Sequence, residues 1–351
     1  MPDARKSTPK DFMQLRAGDR ARLLRTIARF AGASMTLLGD LVADEFVQGQ
    51  IVRVSREAPV LIVKERERRI VPGGGANSAN NLVDLGVKLA LLGAVGEDET
   101  GEALLDHFRA KGVNVERVVR PKDYRTPTKS RILGAIGHGR AQQIVRLDRE
   151  PATPLDPRLR RQLTSAAARL LDRTTALLVS DYGYGATSAR EVDWLRRTRP
   201  AGSGRTPVTL DSRHHLRQYT GLTAATPNEQ EIEEAFSTPV TDRVEKLDGL
   251  AARILTRQRF EALLVTRGAE GMILYQPGGQ PQMLRLFGPA EAVDVTGAGD
   301  TVIAVFTAAL GVGASFLDAA RLANCAGGLV VMKSGTATVT AAELAQAIRN
   351  T

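Results

Sequence analysis

The segment from Asp294 to Asp300, Asp-Val-Thr-Gly-Ala-Gly-Asp, combines two glycines with a carboxylate directly before an apolar helical pattern. The N–H groups at a helix start are unpaired and carry the positive end of the helix dipole, so this turn is typical of a phosphate site. Gly297 and Gly299 let the backbone approach an anion without a Cβ clash. Asp300 is badly placed to bind a phosphate and well placed to accept a proton. A tight turn in which Asp300 only caps the helix stays open as the alternative.

Two more segments have residues suited to ligand binding. Asp40 and Asp44 follow a short apolar run at 35–38 that predicts a buried strand, and open α/β sheets bind ligands at such strand ends. The run of glycines before Asn77 is a place where the backbone can come close to a substrate. Taken singly, a turn aspartate and a glycine loop are also common structural features.

Several known site types are absent from the sequence. There is no GxxxxGK[ST] segment, no GxGxxG after the first predicted strand, and no protein-kinase motif set. The single cysteine, Cys325, excludes an intrachain disulfide framework and a cysteine-rich zinc site. We expect Cys325 to be a small buried residue rather than a reactive thiol.

The elements that must position these residues follow a regular order after residue 150. Helical patterns at 157–171, 188–198 and 242–258 alternate with buried strand patterns at 176–180, 208–211 and 262–266. Alternation of this kind predicts a parallel sheet with helices on both faces. The last part of the chain predicts helices at 300–310, 315–331 and 340–350.

Two segments, about 45–72 and 120–149, contain strand patterns outside this alternation. We expect them to pair as a small β-sheet that serves as a lid over a cleft. The charged run at 64–69 predicts a solvated edge strand, since charge on an edge discourages aggregation.

Most of the positive charge lies near the start of the chain. The 351 residues include 48 Lys and Arg and 39 Asp and Glu, a formal net charge of +9. Residues 1–35 hold eight basic and three acidic side chains, and so +5 of that charge. Apolar residues at 23, 24, 27 and 30 predict an amphipathic helix that packs on the rest of the protein with its arginines outward. We expect a basic N-terminal arm and helix at 1–34 and one large domain at 35–351.

Composition also bears on partners. Aromatic residues make up only 4%, and no recognition motif accompanies the basic charge, so nucleic-acid binding is not expected. No apolar run approaches the roughly 20 residues needed to span a membrane, and the first residues lack the apolar core of a signal peptide. We therefore expect a cytoplasmic protein. A membrane-surface role for the basic helix stays open as an alternative.

In combination, the motifs resemble a known family. Pro72–Asn77 and Asp294–Asp300, about 220 residues apart, resemble the two signatures of the ribokinase-like (PfkB) carbohydrate kinases. Gly39-Asp40 and the segments 226–229 and 265–268 are similar to further landmarks of that family. The resemblance extends from about residue 35 to the end of the chain. It implies an α/β fold with a mostly parallel central sheet, helices on both faces and a small β-sheet lid.

A narrower resemblance indicates a substrate. Segments 53–60, 143–148, 180–182 and 335–339 are similar to the D-glycero-β-D-manno-heptose-7-phosphate kinases of ADP-heptose and lipopolysaccharide synthesis. Those kinases often carry a fused nucleotidyltransferase domain with an HxGH motif; this chain has no such spacing, so we expect a kinase-only version. It differs from them at 45–48, where they are aromatic-rich. It also differs at Tyr184, where they often have Lys, and at Asp211-Ser212-Arg213, where they usually read Asp-Pro-Lys.

The implied reaction is transfer of the γ-phosphoryl group of ATP to a sugar hydroxyl, namely the anomeric hydroxyl of the heptose 7-phosphate. Another sugar, sugar-phosphate or nucleoside kinase of the family, and a non-catalytic nucleotide-binding protein, are the alternatives. A homodimer through the exposed edges of the lid is expected.

The resemblance implies roles for individual residues. Asp300 is the expected base, and the N–H groups of Gly297, Ala298 and Gly299 are expected to hold the charge of the transferring phosphoryl group. Sugar recognition is assigned to Asp40, Asp44, Gly74, Gly75 and Asn77. Lys129, Arg131 and Arg146 are the candidates for binding a sugar phosphate, with solvated strand charges as the alternative.

The remaining implied roles concern ATP and cations. Asn228 and Glu229 are expected to position Mg²⁺ through water. Thr266, Arg267 and Gly268 are expected beside the nucleotide phosphates, although Arg267 as a plain surface arginine is an equal alternative. Asn324 is expected beside the adenine, and Asp294 and Gly335 beside a monovalent cation such as K⁺.

Overall fold

The structure is a computed structural model, and it describes residues 15–135, 139, 141–198, 206–241, 243–288 and 292–351. The α-helices of these residues are α1 Ala17–Ala28, α2 Gly74–Asp84, α3 Glu99–Ala110, α4 Pro157–Leu170, α5 Ala189–Arg197, α6 Glu229–Phe236, α7 Val244–Gln258, α8 Ala298–Gly311, α9 Phe316–Val330 and α10 Ala341–Arg349. Their strands are β1 Ser34–Gly39, β2 Leu41–Val54, β3 Leu61–Gly73, β4 Lys88–Ala94, β5 Val118–Val119, β6 Thr128–Ala135, β7 Gln142–Arg149, β8 Ala176–Asp181, β9 Val208–Ser212, β10 Ala224–Ala225, β11 Ala262–Thr266, β12 Met272–Tyr275 and β13 Gln282–Leu284.

The large sheet has the strand order β13-β12-β11-β10-β9-β8-β1-β4-β5. All pairs from β11 to β5 are parallel, and only β12 and β13 are antiparallel. Adjacent residues of one strand point to opposite faces, so Leu37 lies in one hydrophobic core and Leu38 in the other. The predicted mostly parallel sheet with helices on both faces is confirmed.

The small sheet comprises β3, β2, β6 and β7 in that order. β2 pairs antiparallel with β3 and parallel with β6, and β6 pairs antiparallel with β7. The predicted pairing of the two excursions is therefore confirmed. The charged residues 64–69 are exposed on the edge strand β3, as expected.

Helix α1 packs on the same core as the large sheet. Leu23 and Ile27 are buried in that core, as predicted from their spacing. The Arg22 guanidinium donates to the buried Asp318 of α9, with an Nε–Oδ2 distance of 2.5 Å. The predicted basic arm before residue 15 lies outside the described residues. Among the described residues, no helix combines the length and apolar character that crossing a membrane requires.

Candidate active site

Asp300 lies in the first turn of α8 and is 6% exposed. The helix is capped by Gly297, whose φ of +78° is left-handed, and so Asp300 is not the capping residue. A Cβ on Gly297 would lie 2.4 Å from Nδ2 of Asn77. Glycine is therefore required at 297 for both the backbone conformation and the approach of Asn77.

Two side chains donate to the Asp300 carboxylate. Asn77 of α2 donates from Nδ2 to Oδ2 at 2.9 Å, and the Tyr182 hydroxyl donates to Oδ1 at 2.8 Å. Burial, followed by the negative charge of Asp211, raises the pKa of Asp300 well above its usual range, while the two donors act in the opposite direction. A carboxylate oriented in this way, with raised proton affinity, is suited to general-base chemistry.

Tyr182 is a site residue that the sequence reasoning did not assign. It directly follows β8, and β8 and β4 are the two neighbours of β1 in the large sheet. Ligands bind at such switch points of open α/β sheets, outside the carboxyl ends of the strands. Its position directly after β8 could therefore have identified Tyr182 as a site residue from the sequence.

The glycines before Asn77 approach the protein's own side chains and backbone. Gly74 has φ of +50°, and a Cβ there would lie 3.1 Å from the Tyr182 ring. A Cβ on Gly75 would lie 2.5 Å from the carbonyl oxygen of Asp40. Both glycines therefore have a packing role, and their predicted contact with a sugar stays a prediction.

Asp40 differs from the sequence-based expectation. It is 1% exposed, and its carboxylate accepts three backbone N–H bonds, from Tyr182, Tyr184 and Ala186, at 2.8 to 3.0 Å. Burial raises its pKa to about 6 despite these bonds. Asp40 therefore holds the loop that carries Tyr182, a role that the sequence did not predict, and its contact with a sugar stays a prediction.

Asp44 forms an ion pair within the site. Its Oδ1 is 2.5 Å from Nη1 of Arg131, and its Oδ2 accepts from the Thr336 hydroxyl at 2.9 Å. The Arg131 guanidinium also lies over the Phe46 ring, 5.4 Å from its centroid. Arg131 is thus paired with Asp44, which argues against its predicted role as a ligand of a sugar phosphate.

The other two predicted phosphate ligands line a cavity of about 460 Å³ between the small sheet and the loops after β8 and β9. We call it the cationic cavity; its walls include Lys129, Arg146, Tyr182, Arg213, His214 and His215. Arg146 donates twice to Asp148 at 2.8 Å, and Lys129 lies 3.7 Å from the same carboxylate. The sequence reasoning did not assign Arg213, His214 or His215. Arg213 is the last residue of the segment 211–213, where the chain departs from the Asp-Pro-Lys pattern.

A second cavity, of about 280 Å³, adjoins the start of α8. Its lining is largely apolar and includes Met272, Val302 and Val331. It also includes the predicted nucleotide-site residues Thr266, Gly268 and Asn324, and Ala298 and Gly299 of the predicted catalytic turn. Asn324 donates from Nδ2 to the Arg285 carbonyl at 2.6 Å, and its buried Oδ1 has no partner within the described residues. The cavity fits an aromatic base with a hydrogen-bond donor at its edge.

The backbone donors at the glycine turn are not equivalent. The N–H of Ala298 donates to the Val295 carbonyl at 3.2 Å. In the described part of the chain, the N–H groups of Gly297 and Gly299 have no hydrogen-bond partner. Both N–H groups are therefore open to an anion.

Arg267 is neither exposed nor free. It is 7% exposed, and it pairs with Glu229 at 2.8 Å and with Glu270 at 2.6 Å. The surface-arginine alternative is therefore wrong. The ion pair also directs Glu229 toward Arg267, which argues against its predicted role beside Mg²⁺.

Glu231, which the sequence reasoning did not assign, faces the site instead. Asn228 and Glu231 form a capping box, in which the Glu231 N–H donates to Asn228 Oδ1 at 2.8 Å and the Asn228 N–H donates to Glu231 Oε2 at 3.0 Å. Burial raises the pKa of Glu231 to about 7 and that of Asp211 to about 8, and in each case neighbouring carboxylates add to the shift. The capping-box spacing of Asn228 and Glu231 could have identified Glu231 from the sequence.

Within the described residues, no three or more His, Cys, Asp or Glu side chains are arranged to hold a metal ion directly. The carboxyl groups of Glu231, Asp211 and Asp300 nevertheless lie close enough together to raise one another's pKa. Mg²⁺ keeps several water ligands and needs only one or two carboxylates, so this donor set fits a hydrated magnesium ion.

Asp294 and Gly335 lie together, as expected. Asp294 Oδ2 accepts from the Gly335 N–H and Oδ1 from the Thr296 N–H, both at 2.9 Å. Burial acts to raise the pKa of Asp294, but these bonds outweigh it and hold the pKa below its usual value. A monovalent cation there stays a prediction. Cys325 is buried, and burial raises its pKa to about 12, so it is an inert core residue, as expected.

Comparisons with known proteins show the family of this chain. The family model "pfkB family carbohydrate kinase" matches residues 41–343. The chain is 40% identical over 319 residues to the bifunctional protein HldE of Geobacter sulfurreducens, covering 90% of this chain and 63% of that protein. It spans about two thirds of the length of the curated relatives it matches.

Solved structures share the fold. The chain is similar to Arabidopsis thaliana ribokinase complexed with ribose and ATP, with a TM-score of 0.67, 19% identity, and coverage of 90% of this chain and 99% of that one. It is also similar to Escherichia coli phosphofructokinase-2 in complex with potassium, with a TM-score of 0.71, 18% identity, and coverage of 91% and 98%.

The fold and the site define a phosphotransferase that acts on a sugar hydroxyl. More narrowly, the chain belongs to the pfkB family of carbohydrate kinases.

Proposed function

We propose that this carbohydrate kinase transfers the γ-phosphoryl group of ATP to the anomeric hydroxyl of D-glycero-β-D-manno-heptose 7-phosphate. The observation that carries the kinase chemistry is Asp300, held by Asn77 and Tyr182 at the start of α8 beside the apolar cavity. The heptose is supported by the similarity of segments 53–60 and 143–148 to heptose-7-phosphate kinases and by relatives named HldE. Because ATP is the donor, we propose that the reaction takes place in the cytoplasm.

In the proposed mechanism, Asp300 accepts the proton of the attacking sugar hydroxyl. The sugar oxygen forms a bond to the γ-phosphorus as the bond to the β–γ bridging oxygen breaks, and ADP leaves with that oxygen. The N–H groups of Gly297 and Gly299 hold the charge of the transferring group at the α8 N-terminus. Asn77 and Tyr182 orient the carboxylate, and alignment supplies much of the rate in this class of reaction.

ATP binding is proposed at the apolar cavity, where the unpartnered Oδ1 of Asn324 accepts from the exocyclic amino group of adenine. Glu231 and Asp211 would hold a hydrated Mg²⁺, with Asn228 fixing Glu231 through the capping box. When bound, that ion neutralises charge on the transferring phosphates. K⁺ near Asp294 is proposed from the pairing of Asp294 with Gly335 and from the potassium complex of the phosphofructokinase-2 neighbour.

We also propose that the small sheet is a lid and a dimer surface. It carries several exposed apolar side chains, among them Val52, Val54, Leu61, Val145 and Leu147. One face of such a sheet can cover the site, and the exposed apolar side chains can bind a second copy of the chain.

The test is a panel of acceptors with ATP and Mg²⁺. Heptose 7-phosphate, fructose phosphates, ribose and nucleosides are compared by ADP release and by identification of the product. We expect the highest kcat/KM for the heptose 7-phosphate. Preference for another acceptor would instead make this a different sugar, sugar-phosphate or nucleoside kinase of the family, and turnover of none would leave a nucleotide-binding protein.

A further inference from the structure

The cationic cavity contains charges beyond those the sequence predicted. Arg213 and His215 come from the loop after β9 and Lys129 from β6. The acidic residues of the same walls are already bonded: Asp148 to Arg146, and Glu150 to the Tyr184 hydroxyl at 2.7 Å. Because the walls hold the permanent cations Lys129, Arg146 and Arg213 against only these two acids, the net charge of the cavity is positive.

Among the described residues that line this cavity, Arg213 is a cation without an ion pair to a carboxylate. Its side chain is exposed and makes no ion pair with a carboxylate within the described residues, whereas Arg146 is paired with Asp148. Its backbone N–H donates to the Asp181 carbonyl at 3.0 Å, which ties the loop to the end of β8. The guanidinium therefore stands on an anchored backbone with no carboxylate bonded to it within the described residues, and its positive charge also acts on the carboxyl groups of Asp211 and Glu231. A guanidinium in this position suits a phosphate.

His215 is held by a buried carboxylate. Its Nδ1 lies 3.0 Å from Oδ2 of Asp181, which is 2% exposed and also accepts from the Tyr219 hydroxyl at 2.8 Å. With Nδ1 directed at Asp181, Nε2 is the ring nitrogen left to face the cavity. The bond to Asp181 is the main cause that raises the pKa of His215 above its ordinary value; burial opposes it, and the charges of Asp181 and Asp40 add to it.

Other charged groups also face His215. The His214 ring lies beside it, with a centroid distance of 6.4 Å. The cavity brings the cations Lys129, Arg146 and Arg213 and the acids Asp148 and Glu150 to the same space. The cations oppose protonation of His215 and the acids favour it. An anion bound among these groups would favour the imidazolium further.

The side chain of Tyr182 connects the cationic cavity to the proposed base, Asp300. Tyr182 lines the cavity, and its hydroxyl bonds to Asp300. A sugar whose reacting hydroxyl lies at Asp300 would therefore extend along Tyr182 and place its far end among Arg213, His215 and Lys129.

We propose that the cationic cavity binds a phosphate group on the sugar carbon farthest from the reacting hydroxyl, with Arg213 and His215 as its main ligands. This rests on the proposed function, because it assumes that the acceptor sugar lies at Asp300. It assigns the phosphate to residues different from Arg131 and Arg146, which are already paired with carboxylates.

The first test compares two acceptors that differ only in the phosphate, heptose 7-phosphate and the unphosphorylated heptose. Arg213→Gln and His215→Gln should each raise KM for the phosphorylated sugar about tenfold to a hundredfold, with kcat and the values for the unphosphorylated sugar little changed. Arg217→Gln, at an exposed arginine outside the cavity, is the matched control. Equal losses with both sugars, or no loss with either, would overturn the proposal.

The second test does not need turnover. With a non-hydrolysable ATP analogue filling the nucleotide site, inorganic phosphate binding is measured by calorimetry. We expect binding to wild type and Arg217→Gln and at least a tenfold loss in Arg213→Gln. If the protein shows this binding pattern but phosphorylates no sugar, the phosphate site is supported and the proposed function is refuted. Equal binding in all variants would refute the site even if the kinase activity is present.

The contribution of His215 is tested with sulfate, whose charge is constant between about pH 5 and 9. Because the imidazolium is the binding form, sulfate affinity should fall as pH rises through the raised pKa of His215, and Asp181→Asn should move that fall to lower pH. His215→Gln should remove the dependence. A pH-independent affinity in wild type would exclude His215 as a ligand.

Discussion

The hydroxyl of Tyr182 donates to Oδ1 of Asp300 at 2.8 Å, so the loop after β8 and the first turn of α8 meet at one carboxylate. Asn77 donates to the other oxygen, and the carboxylate is thereby fixed between two neutral donors. Neutral donors stabilise the ionised form without cancelling its charge, so Asp300 keeps its capacity to accept a proton.

Asp300→Asn should bind ATP and fold normally but lose turnover. The amide has nearly the shape of the carboxylate and no basicity, so kcat should fall about 100- to 10,000-fold with little change in the nucleotide Kd. Steady-state kinetics, calorimetry with ATP and circular dichroism are the measurements. Turnover close to that of wild type would show that another group accepts the proton.

Tyr182→Phe tests the bond to Asp300. The hydroxyl lowers the pKa of Asp300, so its removal should move the acid limb of the kcat/KM profile to higher pH and lower kcat about tenfold. Tyr275→Phe is the matched control, because its hydroxyl also donates to a carboxylate at 2.8 Å, that of Asp248 rather than that of Asp300. If both variants behave alike, Tyr182 has no specific effect on the base.

Asp211→Asn should move the same acid limb in the opposite direction. The negative charge of Asp211 is, after burial, the largest cause that raises the pKa of Asp300. The base form exists only above that pKa, so lowering it extends activity to lower pH, whatever the change in maximal rate. The pH dependence of kcat/KM measures this, and an unchanged or raised acid limb would contradict it.

Arg22→Ala should destabilise the attachment of α1. The guanidinium bonds to both oxygens of Asp318, which is 3% exposed, and its loss leaves a buried carboxylate with fewer partners. Because Arg22 itself is exposed, the expected loss in free energy of unfolding is only about 1–2 kcal/mol. Urea unfolding measures it, with the exposed Arg25→Ala as control. Equal losses in the two variants would mean that the ion pair contributes nothing specific.

Leu147→Asp should prevent dimerisation if the small sheet is the dimer surface. Leu147 on β7 is 53% exposed and lies among other exposed apolar side chains. A buried charge at an interface is unfavourable, so sedimentation should show a shift from dimer to monomer. Met283→Asp, at an equally apolar and 67% exposed site on β13, should leave the dimer intact. A monomeric wild type would refute the dimer outright.

Local properties of the chain were enough to predict much of this protein. Alternation and helical spacing depend on neighbouring residues, and they predicted the sheet, the helices and the stripe of α1. Gly297 and Gly299 were recognisable because glycine lets the backbone approach an anion, and the turn that they form located Asp300. The two glycine motifs, each of them a short local segment, carried the resemblance to the family.

Contacts distant in sequence could not be predicted in this way. Asp300 is 223 residues from Asn77 and 118 from Tyr182, and Arg131 is 87 residues from Asp44. A charged residue type does not reveal its partner, so Asp40, Arg131 and Glu229 were assigned to ligands although other groups of the protein engage them. The parallel sheet brings the carboxyl ends of β1, β8 and β9 to one edge, and only that arrangement shows which side chains remain free to bind a substrate.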